Sequence, residues 1–170
     1  MSIFKKIINK MHEETIVEKT ESGGIYAPME GNVIPLEEID DEVFSEGMMG
    51  KGCGMKPSEG KIYAPFHGEV ILIANTKHAI ALRSSDGIEL LIHVGMDTVK
   101  MNGKGFDPLV KVGDMVKCGQ LMMNFSIYDI ETAGYATTTA IIVTNYEEYA
   151  NVEVLKQGIT KKLEKIMQVS

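Results

Sequence analysis

The chain has 170 residues, enough for one ordinary domain with a core that needs no disulfide or metal support. Its composition is globular, with 44% hydrophobic and 24% charged residues, which excludes disorder and fibrous classes. A net charge of −7, a pI near 5.1 and the absence of Trp exclude broad nucleic-acid binding, which needs a basic footprint and stacking platforms.

Two cysteines, Cys53 and Cys118, lie far apart and outside any CxxC. That pattern excludes a disulfide framework or zinc finger and fits a reducing cytosol. No apolar run reaches the ~20 residues of a membrane span. Lys5, Lys6 and Lys10 interrupt the N-terminal apolar residues, which argues against a signal peptide.

In chain order, residues 2–12 read as a basic amphipathic helix, with Ile3, Phe4, Ile7, Ile8 and Met11 on one face. Such a segment can lie on an anionic bilayer surface or dock on its own domain. Residues 13–23 read as a polar linker, so residues 1–21 form an N-terminal segment and residues 22–170 a single domain. A repeat follows. Ile-Tyr-Ala-Pro at Ile25 recurs at Ile62, 37 residues on, each copy trailed by a glycine (Gly31, Gly68) and an apolar strand. Two copies make an internally duplicated β unit and no solenoid. Further strands are expected at 79–83, 88–94, 114–117, 121–125 and 139–143, with short helical turns at 37–44 and 127–134. Residues 147–170 fit either a helix, through Leu163, Ile166 and Met167, or a final strand after Gly158. Many short strands with frequent Gly turns predict a sandwich or barrel.

Residues 76–98 are the most informative stretch. Asp86-Gly87 signals a turn between two apolar strands. A four-residue loop sets His78 opposite His93. A two-residue loop makes them diagonal neighbours on one face. Either register puts the imidazoles together, with Cβ atoms roughly 4.5–8 Å apart, whereas an odd loop or a bulge breaks the inference. Ile88, Leu90, Ile92, Val94 and Met96 alternate and should fill a core, leaving Glu89, Leu91, His93 and Gly95 on the other face. Thr76 shares the face of His78, and Asp97 follows beyond Gly95. Such a cluster suits metal binding, acid–base work, a nucleophilic histidine, or a pair of satisfied surface histidines. His12 and His67 lack such company and read as structural or solvated.

The strings at 75–79 (NTKHA), 87–99 (GIELLIHVGMDTV), 103–106 (GKGF) and 112–116 (VGDMV) resemble the glucose-family IIA component of the bacterial phosphoenolpyruvate-dependent sugar phosphotransferase system. The resemblance covers about residues 22–150. It implies an all-β fold, an antiparallel β-sandwich of the barrel-sandwich (duplicated) hybrid type with a few short helical turns. It also implies a cytoplasmic phosphotransferase working through phosphohistidine. His93 would accept phosphate from the histidine-containing phosphocarrier protein and pass it to a cysteine on the IIB domain of a sugar permease. His78 matches the second active-site histidine, Thr76 its supporting threonine, and Asp97 a nearby aspartate. Asp41, Val43, Phe44, Met48, Leu91 and Val99 match the partner-docking rim, expected as an exposed apolar patch edged by Glu38, Asp40, Asp41 and Glu46. No cofactor is required. An optional zinc on His78 and His93, completed by a regulatory partner, is implied, as is peripheral contact of residues 2–12 with the inner face of the plasma membrane. The competing readings are a regulatory module switched by His93 phosphorylation, a zinc peptidase, for which no His-x-His pair occurs, and a lipoyl or biotinyl carrier, which residues 112–121 resemble without a lysine at a hairpin tip.

Overall fold

The computed structural model describes residues 2–5 and 14–170. Of the expected N-terminal helix, Ile3, Phe4 and Lys5 are helical, and the rest, with His12, lies outside the described residues. The strands in chain order are β1 (Gly24–Tyr26), β2 (Gly31–Pro35), β3 (Lys51–Pro57), β4 (Lys61–Tyr63), β5 (Gly68–Ile73), β6 (Ala79–Ser84), β7 (Glu89–His93), β8 (Phe106–Pro108), β9 (Met115–Val116), β10 (Leu121–Phe125), β11 (Thr139–Val143), β12 (Val152–Val154), β13 (Gly158–Thr160) and β14 (Lys165–Val169). Two short helices, α1 (Glu42–Ser45) and α2 (Ile127–Thr132), stand where helical turns were expected. Their N-caps are Asp41, which accepts from the Val43 amide, and Ser126, which accepts from the Asp129 amide.

An eight-stranded antiparallel sheet, ordered β13-β2-β3-β11-β7-β6-β5-β9, is faced by two three-stranded sheets, β1-β14-β12 and β4-β10-β8. The main core gathers Ile25, Val33, Met55, Ile80, Leu90, Ile92, Met123, Ile141 and Ile166 from all three sheets. A smaller cluster lies on the outer face of the large sheet: Ile34, Ile39, Phe44, Met96, Ala140 and Ile142, with Leu36 and Leu91 against it. Residues 88, 90, 92, 94 and 96 are all buried as expected, but Met96 belongs to this smaller cluster.

The sequence repeat is a structural one. Its copies begin β1 and β4, and reciprocal hydrogen bonds join them: Tyr26 N–H to the Pro65 carbonyl at 3.0 Å, and Tyr63 N–H to the Pro28 carbonyl at 2.7 Å. The likeness extends to strands the repeat does not mention. β9 pairs with β5 and β10 with β4, just as β13 pairs with β2 and β14 with β1. Gly119 N–H donates to Ala64 and Leu163 N–H to Ala27, both at 2.9 Å, and both residues have positive φ. The tail is thus β12, β13 and β14 after a 3-10 turn (Tyr146–Glu148), and the helical alternative is overturned. Pairing with β1 and β12 satisfies the β14 backbone on both edges while Ile166, Met167 and Val169 enter the core.

The segment read as a linker lies on the sandwich. Val17 N–H donates to the Cys118 carbonyl, Leu121 N–H to a Glu14 carboxylate oxygen, and Lys165 pairs with Glu21. His67 is structural: its Nδ1 accepts from the Cys118 amide at 3.1 Å, and Nε2 faces the Glu18 carbonyl at 3.3 Å.

Candidate active site

The hairpin register differs from both expected ones. Ala79 stands opposite His93, and Arg83 opposite Glu89. The cause is a three-residue loop, Ser85-Asp86-Gly87. Gly87 N–H donates to the Ser84 carbonyl at 3.0 Å, and Gly87 itself has φ +93°, the type I turn followed by a left-handed residue common in such loops. His78 therefore faces Val94, whose amide donates to the His78 carbonyl at 2.8 Å.

The imidazoles still meet, for a different reason. His78 precedes the first residue of β6 and follows a turn in which Lys77 N–H bonds the Ala74 carbonyl and Lys77 has φ +64°. Strand alternation does not govern its side chain there. The two rings lie edge-to-face, with centroids 4.7 Å apart and planes at 82°. Thr76 Oγ1 is 2.7 Å from His78 Nδ1, a contact that the turn at Lys77 brings about where the expected strand alternation is absent.

Two connections deliver these groups. Residues 74–78, between β5 and β6, bring Thr76 and His78. The pseudo-equivalent residues 36–50, between β2 and β3, fold over the outer face of the large sheet and bring Asp41 and Phe44. The Phe44 ring centroid is 4.9 Å from that of His93. Phe106, opening β8, approaches His78 from another side at 6.5 Å.

The expected exposed patch needs correction at its centre. Phe44 is only 6% exposed, packed against His93 and the smaller cluster, and Leu91 is half-buried in that cluster. Val43, Met48 and Val99 are exposed, at 43%, 70% and 49%. Glu38, Asp40 and Glu46 are exposed and Asp41 half-buried.

His93 Nδ1 lies 2.9 Å from the Gly95 carbonyl oxygen. A carbonyl only accepts, so Nδ1 carries the proton and Nε2 presents its lone pair. Burial holds His93 below the usual histidine range, opposed by the Gly95 hydrogen bond and by the charges of Asp41 and Asp97. Burial, reinforced by repulsion from His93, pushes His78 down to about 4. Both imidazoles are therefore neutral at neutral pH, and a neutral imidazole is the nucleophilic form. Asp97 is exposed and acts on His93 through charge alone, with φ +60° at the turn after Gly95.

Sequence reasoning missed the Gly95 carbonyl and Phe106, and it expected Phe44 in the rim but exposed. Phe106 stands inside the GKGF string, and the carbonyl is backbone, to which residue type is silent. Both cysteines are buried, and burial pushes their thiols up to about 12, which leaves them poor nucleophiles. Among the described residues no group of three or more His, Cys, Asp or Glu is placed to hold a metal ion, and no helix is long and apolar enough to cross a membrane.

Residues 23–149 match the family model of the phosphoenolpyruvate-dependent sugar phosphotransferase system, EIIA 1. The chain is 47% identical over 147 residues to the glucose-specific EIICBA component of Staphylococcus carnosus, covering 86% of this chain and 22% of that protein. It is 46% identical over 134 residues to the beta-glucoside-specific EIIBCA component of Dickeya chrysanthemi, covering 79% of this chain and 21% of that protein. The chain thus spans about a fifth of the length of these relatives. The solved structure of glucose permease IIA from Mycoplasma capricolum superposes with a TM-score of 0.79 at 29% identity, covering 85% of this chain and 93% of that one. A duplicated antiparallel sandwich, a neutral histidine pair with one Nε2 left bare, and these likenesses agree: the chain belongs to the EIIA 1 family of the phosphoenolpyruvate-dependent sugar phosphotransferase system.

Proposed function

We propose that His93 Nε2 accepts the phosphoryl group from the histidine-containing phosphocarrier protein and hands it to a cysteine on the IIB domain of a glucose-family sugar permease. The observation that carries this reading is the His93 Nδ1 bond to Gly95. In the first step the Nε2 lone pair attacks phosphorus. The P–N bond of the donor's phosphohistidine breaks, and its electron pair returns to the donor imidazole. The proton stays on His93 Nδ1, where the Gly95 carbonyl and the charges of Asp41 and Asp97 stabilise the positive ring that forms. In the second step the cysteine thiolate attacks phosphorus, and the P–Nε2 pair returns to His93. The carboxylates that favour a positive ring also repel the phosphoryl oxygens, which suits relay over storage.

His78 supports the transfer. If the Thr76 hydroxyl donates to Nδ1, His78 Nε2 carries the proton and can donate to a phosphoryl oxygen. Phe44, Leu91, Val43, Met48 and Val99 supply apolar contact for both partners, and the buried Phe44 ring keeps water off the phosphorylated nitrogen. The reaction needs no cofactor. In the other tautomer, with His78 Nδ1 donating to the Thr76 hydroxyl, both Nε2 atoms are bare and fit half of a tetrahedral zinc shell, and a regulatory partner's carboxylate and a water would have to supply the rest. We read residues 22–170 as one EIIA domain on the cytoplasmic side, with residues 2–12 as a peripheral contact to the inner membrane face.

The test is incubation with phosphoenolpyruvate, the general phosphotransferase enzyme and the phosphocarrier, followed by mass spectrometry. Wild type gains acid-labile, base-stable phosphate, and His93→Ala gains none. His78→Gln is labelled but passes phosphate to IIB about 10²-fold more slowly. Undiminished labelling of His93→Ala overturns the assignment. Labelling without transfer to IIB would leave His93 as a regulatory switch.

A further inference from the structure

We infer that Thr98 is a positioning residue for His93, acting through the Gly95 carbonyl to keep the His93 proton on Nδ1; this rests on the reading of His93 as phosphoryl acceptor. Thr98 is fully buried, and its hydroxyl donates to the Val94 carbonyl at 2.5 Å. It opens the 3-10 turn Thr98–Met101, yet the hydroxyl points back along the chain, away from the turn it opens. Val94 is thereby held on both sides, its amide on the His78 carbonyl and its carbonyl on Thr98.

Gly95 sits inside this clasp. It has φ +75°, and a Cβ there would fall 2.4 Å from Thr98 Cγ2 and 2.9 Å from the Ala136 carbonyl oxygen. That same Ala136 carbonyl accepts from the Met96 amide at 3.1 Å. The Gly95 residue is thus wedged between the Thr98 side chain and the loop at Ala136, which aims its carbonyl at His93 Nδ1. A backbone carbonyl can select a tautomer only while its direction is fixed. Thr98 supplies a side-chain hydrogen bond and a methyl contact that fix it.

Removing the hydroxyl while keeping the shape, as in Thr98→Val, leaves the Val94 carbonyl without that donor and loosens Gly95, whose carbonyl is then steered by the Met96 amide bond to Ala136 alone. The His93 proton then redistributes between Nδ1 and Nε2, and the fraction with a bare Nε2 falls. Two-bond 1H–15N correlation spectra of the unphosphorylated full chain read the tautomer directly. Wild type shows Nδ1 protonated and Nε2 bare. Thr98→Val shows a mixture, and its labelling by phosphorylated carrier slows about tenfold or more. Thr98→Ser, which keeps the hydroxyl, restores both.

The inference is overturned by a wild-type proton on Nε2, by a slowed Thr98→Val whose His93 signals are unchanged, or by a Thr98→Ser with a mixed tautomer. Should Thr98→Val not fold, the wild-type and Thr98→Ser spectra decide. Labelling of His93→Ala would refute the acceptor reading alone, because the tautomer spectra involve no phosphate.

Discussion

His78 offers a measurement of how strongly the site is desolvated. Its pKa is about 4 in the folded protein, against 6.5 in the unfolded chain. Between these values the unfolded chain binds more protons than the folded one, so stability falls as pH falls. The full contribution is present above pH 6.5 and is lost progressively down to pH 4. A tenfold difference in proton affinity between the two states is worth about 1.4 kcal/mol, so His78 costs the fold about 2 kcal/mol at pH 5 and about 3 kcal/mol at pH 4. His78→Gln carries no titrating group and should escape that loss. Urea unfolding followed by far-UV circular dichroism, from pH 7.5 to 4, compares the two proteins, and the carboxylates common to both cancel in the difference. His93, also lowered by burial, adds to the slope of both proteins in the same window. The variant should gain about 2 kcal/mol on wild type between pH 7 and pH 5. Parallel pH profiles would show that His78 is solvated in the folded state and refute the desolvation argument.

Phe44→Ala should uncover His93 and return its pKa toward the usual value, since burial is the largest cause of the depression, at a stability cost of about 3 kcal/mol; a histidine titration by NMR and an unfolding curve check both. Gly119→Ala should displace the N-terminal strap, because a Cβ at φ +93° would meet the Thr15 carbonyl oxygen at 1.8 Å. Faster hydrogen exchange at Val17 and a loss above ~1 kcal/mol are expected. Leu163→Gly, at the pseudo-equivalent position with φ +67°, relieves a left-handed leucine and should cost less than Gly119→Ala in the same unfolding assay.

The core face of β7 was legible because one strand alternates cleanly from Ile88 to Val94. The duplication was legible because Ile-Tyr-Ala-Pro is repeated verbatim. β3 was not: Lys51-Gly52-Cys53-Gly54-Met55-Lys56-Pro57 holds two glycines and no β-branched residue. Neighbouring strands demand those glycines, since a Cβ on Gly52 would fall 1.9 Å from the Ile141 carbonyl oxygen. The tail could have been read against residues 114–125. Val116, Met122, Met123 and Phe125 are buried there, as are the corresponding Thr160, Ile166, Met167 and Val169 of the first copy, yet only Met123 and Met167 share a residue type. In the site, the histidine pair was visible, but its strand register lies one residue away from the expected ones. Loop length decides register, and Asp-Gly serves two-, three- and four-residue loops alike. The group that fixes the His93 tautomer is a backbone atom, invisible to any argument from side-chain chemistry.

The interleaving of the two structural copies sets an order of assembly. Most pairings of the second copy fall within residues 61–125, β4 with β10, β10 with β8, β5 with β9 and β6, and β6 with β7; the other edge of β7 alone waits for β11. The first copy has no such independence. β2 must wait for β13, and β1 for β14, more than a hundred residues later. During synthesis the histidine hairpin can therefore close while β1 and β2 still lack their outer neighbours, with loop-closure entropy delaying the long-range pairs. A chain ending after residue 149, where the family match stops, would keep both histidines and leave β1 without its sheet partner β14. Such a fragment would expose unpaired edges beside apolar residues, the combination that drives strand addition between molecules. The last dozen residues act as the clasp that ends this exposure.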